Sequence, residues 1–217
     1  MPKQQCKLFP PPPRDTLAFE KAAGLNGYSA ITGIDEAGRG PLAGPVTAAA
    51  VILPVGLMLT GVDDSKKLTP EKREALYSLI MNHAISVGVA SVPPAEIDRI
   101  NILQATRLAM LTAVEQLSPT PDLLLIDGIS TIESPLPQRT IKKGDSLSLS
   151  IAAASIIAKV TRDRYMIEMD SVYPGYGFSR HKGYGSTVHL EAIKRLGPCP
   201  IHRLTFAGVK EWLPPLV

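Results

Sequence analysis

The stretch Ile31 to Pro45, ITGIDEAGRGPLAGP, constrains this chain more than any other. A short apolar run containing Ile31 and Ile34 leads directly into two adjacent acids, Asp35 and Glu36. A loop follows with Gly38, Gly40 and Gly44, one cation at Arg39 and prolines at 41 and 45, before a second apolar run from Val46 to Leu53. Successive side chains of a strand point to opposite faces, so the two acids can converge only where the strand ends and the chain turns. The glycines supply that turn and let the backbone come close to a ligand. A polar hairpin loop is the plainer reading, and the rest of the chain weighs against it.

The remaining elements follow in order. A short helix is predicted over Asp15–Ala23, a strand over 30–36 and its antiparallel partner over 46–53. Thr69-Pro70-Glu71 opens a helix running to about Asn82. A third strand is expected over Ile85–Val92, then helices near Ala95–Ile100 and Ile102–Leu117. The run Leu123-Leu124-Leu125-Ile126-Asp127 is continuously apolar before its acid, the mark of a strand buried on both faces. A further strand is expected at 137–142, a tightly packed helix over Leu147–Asp170 and a last helix over Thr187–Leu196. Strands that first pair antiparallel and then alternate with helices predict an α/β fold, a mixed sheet flanked by helices.

Asp35, Glu36, Asp127 and Asp145 share a setting, at strand ends or the approach to a helix and beside glycine. Clustered carboxylates repel, and a divalent cation is the usual remedy. Oxygen-only ligands without His or Cys favour Mg²⁺ or Mn²⁺ over zinc. Taken singly, Asp127 could serve a turn with Gly128, and Asp145 could cap the helix after it. Phosphate-binding loops, dinucleotide-binding loops and nucleophile elbows are absent. His181, His189 and His202 lack ligand spacing and are expected on a polar surface.

The basic residues point to a polyanion. From Arg139 onward there are 12 Lys+Arg against 6 Asp+Glu, whereas residues 1–138 hold 11 against 14. The segment FSRHKGYGS sets Arg180, His181 and Lys182 around Tyr184, a ring that could stack on a sugar or base. Ser65, Lys66 and Lys67 form a second candidate phosphate clamp, or a polar turn before a helix. Residues 1–14 read as a Pro-rich flexible tail, 15–170 as the catalytic core and 171–217 as a C-terminal portion completing the substrate groove. Within the tail, Gln5, Leu8 and Phe9 resemble the short peptide by which bacterial replication proteins enter the sliding clamp. Two cysteines far apart and no span-length apolar run predict a cytosolic protein with free thiols and no membrane contact, and nothing suggests an obligate dimer.

DEAGRG at 35–40, AGP at 43–45, DSKKL at 64–68, IDG at 126–128, KGD at 143–145, IAAASIIAKVTRDR at 151–164 and HKGYG at 181–185 together resemble ribonuclease HII, in the family's order. The resemblance implies a ribonuclease H-like fold with a five-stranded mixed sheet and a helical C-terminal portion. It places the metal-binding, catalytic acids at Asp35, Glu36, Asp127 and Asp145. Gly38, Arg39 and Gly40 match the loop that reads the ribose 2′-hydroxyl at an RNA–DNA junction, and Tyr184 the tyrosine that packs on the next deoxyribose. Arg39, and only 30 residues before the first strand, fit this type better than the sister type HIII. The implied substrates are RNA–DNA hybrids and duplex DNA with embedded ribonucleotides. They would be cut by two-metal hydrolysis to 5′-phosphate and 3′-hydroxyl ends. A DNA nuclease of the same fold, or a silent hybrid-binding protein, would use many of the same residues.

Overall fold

A computed structural model of the chain describes residues 15–59, 61–62 and 68–213. Gln5, Leu8, Phe9, Ser65, Lys66 and Lys67 lie outside the described residues. The order of elements is α1 (Ala18–Leu25), β1 (Ile31–Ala37), β2 (Val46–Ile52), α2 (Pro70–His83), β3 (Ser86–Val92), α3 (Pro94–Ile100) and α4 (Ile102–Glu115). Then come β4 (Leu123–Asp127), β5 (Gln138–Ile141), α5 (Leu149–Val172), α6 (Phe178–His181) and α7 (Thr187–Leu196). Helix boundaries follow their caps: Thr69 accepts the Lys72 N–H with Pro70 in the first turn of α2, and Ser148 accepts the Ile151 N–H at the start of α5.

The five strands form one mixed sheet in the order β3-β2-β1-β4-β5. β1 pairs antiparallel with β2 and parallel with β4, which is itself parallel to β5. Alternation along β2 divides the core into two layers. Val46, Ala48, Ala50 and Ile52 pack with Ala105, Ala109 and Ala113 of α4, while Ala49 and Val51 pack with Ala152, Ala153, Ile156 and Ile157 of α5. The approach of α5 to β1 is closer still. A Cβ placed on Gly33 would lie 2.0 Å from the Ser150 carbonyl carbon, so this strand position admits only glycine without moving the helix.

β1 runs one residue past the predicted strand and does not turn at the acids. It continues to Ala37, with Asp35 opposite Ala49 and Glu36 opposite Ala48. Asp35 therefore shares the α5 face with Gly33, and Glu36 leaves on the other. The C-terminal segment builds a smaller core of its own. Met166, Tyr176, Phe178, Ala192 and Ile193 enclose Leu42 and Ala43 of the loop after β1. Among the described residues, no helix is long and apolar enough to cross a membrane.

Candidate active site

The parallel pairing of β1 with β4 aligns Ile34 with Ile126, so each strand delivers its following acid, Asp35 or Asp127, to the same end of the sheet. Asp35 is only 4% exposed. Burial pushes its carboxyl well above the usual range, and the charges of Glu36 and Asp127 push it further; the Ser155 hydroxyl of α5 and the Glu36 N–H pull the other way. Glu36 is held by an ion pair with Arg39 at 3.3 Å. Asp127 reaches across to the turn before α5, where its Oδ1 accepts the Gly144 N–H at 2.6 Å. Asp145 is the next residue and is 6% exposed. It is not the cap of α5, since Ser148 fills that role. Asp127 does serve a turn, but the one at Gly144 and not the one at Gly128.

The donor set suits a hard divalent cation. A buried carboxyl raised by two acidic neighbours is a site where a cation would lower the repulsion. Among the described residues, no three His, Cys, Asp or Glu side chains form a ready-made cage.

The loop beside the acids is shaped by two side chains that the sequence reading passed over. Gly38 has φ +96°, and a Cβ there would lie 2.1 Å from Nε of Arg162. Arg162 and Arg203 are 1% and 0% exposed and belong to the C-terminal half. Burial, with Arg162 nearby, lowers Arg203 to about 9. These two guanidiniums cannot touch a substrate phosphate directly, so the basic residues counted from Arg139 onward are not all available as contacts. A signal for Arg162 does exist in the sequence, because it lies midway between Ala158 and Met166 on a buried helical stripe.

Tyr184 is 47% exposed and faces this loop; a Cβ on Gly40 would lie 3.9 Å from its ring. The Lys159 ammonium lies 5.9 Å from the centre of the same ring. Arg180, Lys182 and Tyr184 line one open groove with Arg73, Lys159 and Arg164, the last three unforeseen. The Lys182 ammonium turns back onto the Ser179 carbonyl. The histidines correct the surface expectation. His189 and His202 are buried, with 3.0 Å between their Nε2 atoms, and His181 stacks on His189 at 4.4 Å.

A family model described as Ribonuclease HII matches residues 32–209. A Ribonuclease HII of Pelobacter propionicus is 64% identical over 210 residues, covering 97% of this chain and 96% of the relative. The ribonuclease H2 of Pyrococcus horikoshii OT3 superposes with a TM-score of 0.71 at 29% identity, over 83% of this chain and 95% of that one. The RNase HII in the PCNA:RNase HII complex of Archaeoglobus fulgidus gives a TM-score of 0.68 at 24% identity, over 82% and 95%, a likeness of fold.

Proposed function

The chain belongs to the ribonuclease HII family, metal-dependent enzymes with ribonuclease H activity on RNA–DNA hybrids, and from that premise we propose how its own residues act. It hydrolyses the RNA strand of hybrids and nicks duplex DNA on the 5′ side of an embedded ribonucleotide, leaving 5′-phosphate and 3′-hydroxyl ends. The observation that carries this is the meeting of Asp35 and Asp127 on adjacent parallel strands beside the Gly38–Gly40 loop. Asp35, Glu36, Asp127 and Asp145 hold two divalent cations, Mg²⁺ or Mn²⁺, in the substrate complex. Such ions supply a water of lowered pKa as nucleophile and charge stabilisation at the leaving oxygen.

The protein's share is orientation. Asp127, by accepting the Gly144 N–H, fixes the turn that carries Asp145 relative to β4. Gly38, Arg39 and Gly40 read the 2′-hydroxyl through their backbone N–H groups, and the Arg39 side chain lies beside Glu36 at 3.3 Å. Tyr184 packs on the following deoxyribose. Arg180 and Lys182, with Lys159 and Arg164 in the same groove, hold the phosphate backbone. Ser65 and Lys66 extend that role in our reading, which for them rests on the sequence. So does entry of Gln5, Leu8 and Phe9 into a sliding clamp, tested by deleting residues 4–9 and measuring clamp affinity.

The test of the activity is cleavage of a duplex with one ribonucleotide beside an all-DNA duplex, with Mg²⁺, Mn²⁺ or chelator. Metal-dependent nicking of the first alone is expected. Equal cutting of both would refute 2′-hydroxyl reading, and cutting in chelator would refute the metal site.

A further inference from the structure

We propose that Arg162 and Arg203 are positioning residues for ribose recognition, two buried guanidiniums that lock the loop from Gly38 to Pro45 by its carbonyl oxygens. The inference rests on the reading of Gly38–Gly40 as the ribose-contacting loop. Arg203 donates Nη2 to the Gly38 carbonyl, Nη1 to Arg39 at 2.9 Å and Nε to Gly44 at 3.0 Å. Arg162 donates Nε to Pro45 at 2.9 Å, Nη2 to Ala43 at 3.0 Å and Nη1 to Lys182 at 3.0 Å. Five of these six bonds close on one eight-residue loop, and the sixth holds the segment that carries Tyr184.

Two features separate this from ordinary packing. Neither guanidinium makes an ion pair among the described residues; Asp98 and Asp163 act on them only from a distance, and a buried cation without a contacting counter-charge is costly compared with an apolar filler. What it does offer is five donors in a rigid fork, which only fixed acceptors can satisfy together. The loop is cut to receive these forks: Gly38 excludes a Cβ because of Arg162, and a Cβ at Gly44 would meet Met166 Sδ at 2.3 Å and Arg162 Nη2 at 3.3 Å.

The second feature is which groups are left over. The carbonyls of Gly38 and Arg39 are taken from within, while the N–H groups of Gly38, Arg39 and Gly40 have no partner among the described residues. Further along, the Leu42 N–H donates to Gly183 at 2.8 Å and the Gly44 N–H to Ile201 at 2.8 Å. The loop is thus anchored through its carbonyls at one end and through both kinds of group at the other. Its unpaired donors sit in the stretch assigned to the 2′-hydroxyl.

The experiment uses the full chain with Arg203→Lys and Arg162→Lys. A lysine is a point donor and can replace at most part of three directed bonds. Two quantities are read: kcat/KM on the single-ribonucleotide duplex with Mn²⁺, and the ratio of Kd for the all-DNA duplex to that for the ribonucleotide duplex, in chelator. Misplacing a contact by about 1 Å costs up to roughly 10²-fold. We expect kcat/KM to fall by about that factor and the Kd ratio to collapse toward one, with Mn²⁺ affinity unchanged. Folded variants that keep the wild-type ratio would overturn the inference while leaving the loop reading intact. A wild-type ratio of one would instead overturn the loop reading, and the inference with it. Should neither variant fold, amide exchange in the wild type decides: Leu42 and Gly44 must exchange as slowly as the centre of β1, and fast exchange there refutes the clamp.

Discussion

Gly33→Ala is the sharpest test of how this fold seats its site. The added Cβ would lie 2.0 Å from the Ser150 carbonyl carbon and 2.3 Å from both the Ser150 oxygen and the Ile151 nitrogen. Ordinary contact needs about 3.5 Å, so α5 and β1 must part by roughly 1.5 Å. All three atoms belong to a helix backbone, which cannot rotate away as a side chain could. Overpacking of this kind costs about 1–3 kcal/mol, and a backbone clash belongs at the upper end. Alanine's lower unfolded-state entropy returns roughly 0.5–1 kcal/mol. A net loss of about 2 kcal/mol would lower Tm by roughly 4–8 °C for a domain of this size. Thermal unfolding followed by far-UV circular dichroism reads this directly. Activity should fall below the melting transition too, because Asp35 is two residues along the same face and is bonded by Ser155 of the displaced helix. Gly24→Ala is the control: in α1 and with nothing within 4 Å, it should raise Tm slightly. A Gly33→Ala protein that melts with the wild type would refute the packing argument.

Other expectations are as specific. Asp127→Asn keeps an oxygen for the Gly144 N–H, so it should fold and bind substrate, yet lose more activity than the roughly 10–100-fold seen when only a supporting group is removed. Steady-state kinetics and a binding titration in chelator check both halves. Tyr184→Ala should weaken binding of the ribonucleotide duplex about tenfold by loss of stacking, measured by fluorescence anisotropy. His189 and His202 are each lowered from 6.5 to about 4, chiefly by burial. The unfolded chain therefore binds more protons between those values, so stability from the pair is complete above pH 6.5 and is lost as pH falls toward 4. The loss should reach a few kcal/mol at the lower end, seen as an acid-dependent drop in urea midpoint that His189→Gln reduces. An equal drop in that variant would acquit the pair.

Much of this was legible because local signals agreed. Thr69-Pro70 begins a helix where its chemistry says, and Leu123–Ile126 is buried on both faces as a continuous apolar run must be. Asp35 and Asp127 stood out because each ends an apolar run, and Asp145 because it follows a glycine at the approach to a helix. What stayed hidden was set by distance along the chain. Gly33 reads as an ordinary weak spot in a strand until Ser150 is placed against it. Arg162 and Arg203 counted as surface charge because their partners are carbonyls, which every residue has and no residue type reveals. The histidines misled for a related reason. His189 Nδ1 donates to the Tyr184 carbonyl at 2.9 Å, so its Nε2 accepts from His202, whose Nδ1 then accepts the Cys199 N–H at 2.9 Å. Neutral rings in a closed chain of bonds can be buried, but no spacing announces it.

The clamp on the Gly38–Pro45 loop also bears on how the enzyme comes into being. During synthesis the N-terminal elements leave the ribosome first and begin to fold as they appear. The loop and two of its acids are made early, the other two acids follow at 127 and 145, and the arginines that hold the loop come only at 162 and 203. A partly made chain can pair β1 with β2 before either arginine is there to hold the loop. On the proposed clamp, the final shape of a loop made near residue 40 is thus set by side chains made more than a hundred residues later.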